Sequence, residues 1–137
     1  AYPGGLDDRC RAADRLLSAL KARGSPLETA FFDPIVVPLS RDPAQALAVL
    51  GAVGYISREH PGVRAVCGVS NISFGLPCRN TLNRTFLAML MAAGLAGVVM
   101  DPTEPHMMST VRAGQALMGR DESALDFVEA ARAGRLD

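Results

Sequence analysis

Apolar positions along the chain change their spacing several times, and each change marks an element. From Leu6 to Arg23, the residues Ala12, Ala13, Leu16, Leu17 and Leu20 recur at helical spacing, which predicts a helix closed by Gly24. The stretch TAFFDPIVVPL is rich in aromatic and β-branched residues and predicts a buried strand over Ala30 to Phe32, extending toward Val37. Asp42-Pro43 reads as an N-cap followed by a first-turn proline. The helix it opens runs through AQALAVLGAVGYISRE and stops near His60-Pro61-Gly62. A second strand is predicted from Val63 to Val69, and a second long helix from Thr81 to Ala93 with Gly94 closing it. AGVVMDP supplies a third strand, Gly97 to Met100, and two shorter helices follow, His106 to Met118 and Glu122 to Ala133.

Strands alternating with helices imply βαβ units on a parallel sheet, hence an α/β fold. Three parallel strands do not close a barrel, which takes about 250 residues. With 137 residues, the chain matches either an open doubly wound sheet or the second half of a (β/α)8 barrel. It begins at Ala1 rather than Met, as a processed chain or an excised domain would.

Composition narrows the function classes. The chain is 49% hydrophobic, enough for a real core, and its 14 basic residues cancel its 14 acidic ones. Without a basic stripe, nucleic acid is an unexpected partner. Charge, Gly or Pro breaks every apolar run short of the roughly 18 residues of a membrane span. The opening AYPGGLDDRC has no basic start and no apolar run, so no signal peptide is visible. Cys10, Cys67 and Cys78 have no CxxC spacing and read as reduced thiols of a cytoplasmic protein. His106 and Glu104 lack a spaced third ligand, so no metal site is expected.

The candidate chemistry sits at strand ends. Asp33, Asn71 and Asp101 each follow an apolar strand, where parallel α/β folds place their ligands. A lone Asp there is often only a turn cap, and an Asn before a Gly-rich loop often only a turn residue. Asp101, before Pro102, is the weaker candidate, with capping and site roles evenly balanced. Arg79 opens a helix, where a cation is electrostatically disfavoured, which hints at a role beyond solvation.

The segments FFDPIVVPLS, GVSNISFGLPCRNTLNRTFLAMLMAAGL and GVVMDP resemble the pterin-binding methyltransferases. These act on methyltetrahydrofolate and a corrinoid protein, and include the folate domain of cobalamin-dependent methionine synthase. The likeness runs from Leu6 to about Ala133, is most specific from Gly68 to Leu95, and aligns with the second half of the family's barrel. It implies a domain over residues 1–137 that is the carboxyl-terminal half of a pterin-binding barrel, with tetrahydrofolate as substrate and cobalamin on a partner protein. By the same resemblance, Asp33 accepts the amine and ring N–H of the pterin edge, and Asn71 assists at N5. Arg79 faces the folate and Ser70 supports the loop. Phe74 departs from the family, some members of which carry a polar pterin contact near this point. A dihydropteroate synthase is a rival within pterin chemistry, but no Lys cluster stands at a strand end to meet a pyrophosphate leaving group. A non-catalytic folate-binding or assembly fragment is the rival from another class. Half a barrel leaves apolar faces open, so Phe31, Val36, Val66, Val69 and Val99 are expected to lack neighbours, and pairing with a second chain or a homodimer is expected.

Overall fold

The computed structural model describes residues 2–136. Three strands, β1 (Phe31–Phe32), β2 (Arg64–Gly68) and β3 (Gly97–Val99), form a parallel sheet in the order β1-β2-β3. Five helices accompany them: α1 (Leu6–Ala22), α2 (Gln45–Glu59), α3 (Arg79–Ala93), α4 (Pro105–Leu117) and α5 (Leu125–Arg132). Consecutive helices pack side by side, α1 on α2, α2 on α3, α3 on α4 and α4 on α5. The whole is consistent with a segment of a β/α barrel. No helix among the described residues is long and apolar enough to cross a membrane.

The sheet has two unlike faces, and the register shows why. Phe32 lies opposite Ala65, and Cys67 opposite Val98. Because side chains alternate along a strand, these four share one face. Phe32, Ala65 and Cys67 are buried, with Val98 packed against the same core as Val53, Ile56, Leu87 and Leu90 of the helices. The other face carries Phe31, Val66 and Val99. Phe31 is 55% and Val99 67% exposed, and Val66 is half-buried. The Arg64 guanidinium lies 4.3 Å from the Phe31 ring centroid on that face. Two other residues expected to lack neighbours, Val36 and Val69, are buried instead, because both have left the strands and turned into the core.

Element boundaries differ from expectation where loops intervene. β1 stops at Phe32 because Pro34 follows and Ile35 takes a left-handed φ of 58°. The run to Val37 is therefore loop rather than strand, with Pro34, Val36 and Val37 buried and Ile35 exposed. Asp42 does not cap α2 directly; its Oδ1 accepts from the amide of Ala44 in a turn, and the helix begins at Gln45. β2 ends at Gly68, and residues Val69–Ser73 wind into a 3-10 turn. α3 begins at Arg79, earlier than expected, and ends at Gly94 with φ 105°. A Cβ on Gly94 would approach Ser57 Oγ to 2.7 Å, so glycine serves both the cap and the contact with α2.

Candidate functional site

All three strand-end candidates lie at the carboxyl edge of the sheet, but they are held differently. Asp33 is exposed, and its Oδ1 accepts from the Ile35 amide at 2.8 Å, tightening the turn after β1. Asp101 does the same after β3: its Oδ1 accepts from the Thr103 amide at 2.9 Å and the Thr103 hydroxyl at 2.7 Å. These bonds, that of the Thr103 side chain foremost, hold the Asp101 carboxyl below the usual carboxylate range. Asn71 sits in the 3-10 turn after β2, with its side chain exposed and its carbonyl accepting from the Phe74 amide. Its Nδ2 lies above Gly68, 3.8 Å from where a Cβ on that residue would be.

The tip that carries Asn71 is clamped from beneath. Ser73 is fully buried, and its hydroxyl accepts from Arg79 Nε at 3.0 Å and lies 2.7 Å from Asn83 Oδ1. Arg79 Nη2 donates to the Ser70 carbonyl at 2.9 Å, and the Ser73 hydroxyl lies 3.2 Å from the same oxygen. Arg79 thus places two of its donors on the protein's own loop. Ser70 takes part through its backbone.

A second set of bonds ties the loop after β1 to this tip. The Leu39 amide donates to the Ile72 carbonyl at 3.0 Å, and the Ser40 hydroxyl to the Phe74 carbonyl at 2.7 Å. From the other side, Arg9 of α1 is 1% exposed and donates to the carbonyls of Pro34 (2.7 Å) and Ile35 (2.9 Å) and to Gln45 Oε1 (2.7 Å). Burial pushes its guanidinium below the usual arginine range, with Asp8 and Asp42 opposing. Gln45 passes the contact on through Nε2 to Asp42 Oδ2 at 2.7 Å.

Two open cavities flank the loop. One, of about 500 Å³, is lined by Asn71, Phe74, Ser40 and Arg41, by Val36–Pro38, and by Tyr2 and Ile35. Asp33 lines the other, of about 410 Å³, beside Arg9, Arg11 and Arg15. Tyr2 and Ile35 form walls of both. Asp33 and Asn71 therefore open into adjoining spaces, and Asp101 lines neither. Cys67 lies beneath, where burial chiefly, and the Asp33 charge in addition, push its thiol up to about 12, so it is an inert core residue. Glu104 caps α4 through its side chain, and no three His, Cys, Asp or Glu side chains gather into a metal-binding group among the described residues.

Sequence reasoning missed Arg9, Ser73 and Asn83. One trace of Arg9 was legible: it falls on the buried stripe of α1 with Ala13 and Leu17, four residues apart each time. A charge on an apolar stripe must find partners.

The sequence is 29% identical over 134 residues to a methylcorrinoid:tetrahydrofolate methyltransferase of Eubacterium limosum. The match covers 98% of this chain and 49% of that protein, so the chain spans about half the length of this curated relative. No family model matches the chain.

Proposed function

We propose that the chain supplies the carboxyl-terminal half of a β/α-barrel methyltransferase working between methyltetrahydrofolate and the cobalamin of a separate corrinoid protein. The observation that carries this reading is the clamped Ser70-Asn71 tip at the carboxyl end of β2, in a chain that resembles a tetrahydrofolate methyltransferase along nearly its whole length. The methyl group passes in line between N5 of the pterin and the partner's cobalt. When it leaves N5, the electron pair of the C–N bond stays on nitrogen. From unprotonated N5 the departing group would be an amide anion, a poor leaving group. A proton or a preoriented hydrogen-bond donor at N5, which lets it leave toward the neutral amine, therefore lowers the barrier. The Asn71 amide can donate to neutral N5 or, turned over, accept from its protonated form. Asp33 accepts one bond at Oδ1 from the Ile35 amide, which leaves a lone pair on that oxygen and all of Oδ2, so both oxygens remain suited to the paired N–H groups of the pterin edge. Arg79 and Ser70 serve the same substrate by fixing the tip on which Asn71 stands.

Support for the half-barrel comes from the sheet itself. A doubly wound sheet carries helices on both faces, whereas here one face presents Phe31 and Val99 to solvent. A second polypeptide, the remaining half of a longer protein or another copy of this chain, would cover it.

The test is a pair of substitutions in the full-length protein, assayed with methyltetrahydrofolate and a corrinoid protein. Asn71→Ala should lower methyl transfer by about 10²- to 10³-fold, with a much smaller change in folate affinity. Asp33→Ala should chiefly weaken folate binding. If Asn71→Ala altered only the folate dissociation constant, its role at N5 would be wrong. Folate binding with no methyl transfer to any corrinoid protein would instead indicate a binding or assembly subunit.

A further inference from the structure

Two arginines stand at the rim, and their surroundings differ. Arg79 spends Nε and Nη2 on Ser73 and Ser70 and lines neither cavity beside the β1 loop. Arg41 is the one charged side chain among the described residues that line the 500 Å³ groove with Asn71. Its guanidinium donates no hydrogen bond to another described residue and forms no ion pair within them; its contact is the Tyr2 ring, 5.7 Å away at the centroid. A cation resting on an exposed aromatic face is held weakly, so the fork of N–H donors stays free for a ligand.

The backbone beneath Arg41 is fixed relative to Asn71. Its own amide donates to the Pro38 carbonyl, and the two residues before it are the ones bonded to Ile72 and Phe74 of the Asn71 loop. The groove thus offers an amide in one place, apolar walls from Val36, Val37 and Phe74, and a single free cation in another. A ligand matching that layout has a polar reacting group, a flat or apolar body and an anionic end.

We infer that Arg41 is a specificity-determining residue that receives the carboxylate end of the substrate whose reacting nitrogen lies at Asn71. The inference rests on the folate reading above. Tetrahydrofolate ends in a glutamate, which carries its permanent negative charges far from N5, and a guanidinium pairs with a carboxylate through two parallel hydrogen bonds.

The experiment compares 5-methyltetrahydrofolate with its bis-amide, in which both glutamate carboxylates are made neutral, in full-length wild-type protein and in Arg41→Met and Arg41→Lys. The expected result is a rise of about five- to tenfold in the folate dissociation constant and KM for Arg41→Met. The bis-amide values should be unchanged, and Arg41→Lys should recover part of the loss. The wild-type preference for folate over the bis-amide should shrink with added salt. Equal weakening toward both ligands, or no weakening toward folate, overturns the assignment while leaving the folate reading intact. Wild-type protein that binds neither ligand overturns the folate reading, and the role of Arg41 with it.

Discussion

Arg9 offers the sharpest test of how the rim is built. Replacing it by Met keeps a long side chain on the buried stripe of α1 but deletes every donor. Three acceptors then lose this partner, the carbonyls of Pro34 and Ile35 and Gln45 Oε1, while the Gly5 carbonyl loses a 3.2 Å contact but keeps the backbone amide of residue 9 at 3.4 Å. The bonds to Pro34 and Gln45 are buried, while those to Ile35 and Gly5 lie partly open to water. Water can replace the outer two. Each buried acceptor left without a donor costs about 1–3 kcal/mol, so the inner two set a loss of roughly 2–6 kcal/mol. Against this stands the relief of no longer burying a cation, a cost of several kcal/mol that its four acceptors already largely offset. The residual strain of Ile35 in the left-handed region adds about 1 kcal/mol that the clamp now restrains.

The net expectation is a destabilisation of about 2–4 kcal/mol, a large share of an ordinary folding margin of about 5–15 kcal/mol. Urea unfolding of the full-length protein by far-UV circular dichroism measures it as a drop in midpoint at unchanged slope. Arg9→Lys should recover less than half, because one ammonium cannot reach three acceptors spread over the plane of a guanidinium. Hydrogen exchange at the Ile35 amide, which donates to Asp33, should quicken in step. A loss under about 0.5 kcal/mol with native exchange at Ile35 would show that the clamp is replaceable by apolar packing, and the reasoning would fail.

Other expectations follow from the same geometry. The Gln45 side chain first, and the Ala44 amide second, hold the Asp42 carboxyl below its usual 3.8. A depressed folded value means stability that is present above the unfolded value and lost as pH falls through the folded one, so it should decline on acidification below pH 3.8. Urea midpoints measured downward from about pH 5 should fall less steeply in Asp42→Asn than in wild type; identical slopes would exclude Asp42 as a contributor. For the bare sheet face, light scattering at micromolar concentration should show this chain associated with itself or with a complementary polypeptide. A monodisperse, cooperatively melting 14.4 kDa monomer would contradict the half-barrel reading.

How much of this was legible in the sequence depended on the range of the interaction. Periodicity placed three strands and five helices in the right order, because the burial of Ala65, Cys67 and Val69 and of the α2 stripe from Ala48 to Ile56 is written locally. Periodicity also brought Asp33, Asn71 and Asp101 to the strand ends. It failed at residues 33–37, where a strand-like composition forms a loop that buries Pro34, Val36 and Val37. Composition reports burial there, and only Pro34 hints at the break. It failed again for the clamps, since Arg9 meets Pro34, Ile35 and Gln45 25 to 36 residues away and Ser40 reaches Phe74 across 34. Bonds of that range leave no local pattern. Arg79 shows the mixed case: a cation at a helix start was correctly read as unusual, but only the fold shows it on Ser73 and Ser70.

The clamps and the bare face together divide the work between this chain and whatever covers it. Every bond described as holding the Asn71 tip and the β1 loop is internal: Arg9 and Gln45 from one side, Arg79, Ser73 and Asn83 from the other, and Ser40 between the loops. The exposed apolar groups, Phe31 and Val99, lie on the opposite face of the sheet from the helical core that supports those loops. Under the half-barrel proposal, a covering polypeptide would add walls and close the interior without having to create the position of Asn71. The role proposed for Asn71 at N5 calls for that arrangement, because a donor that must first be moved into place spends part of its stabilisation on the movement.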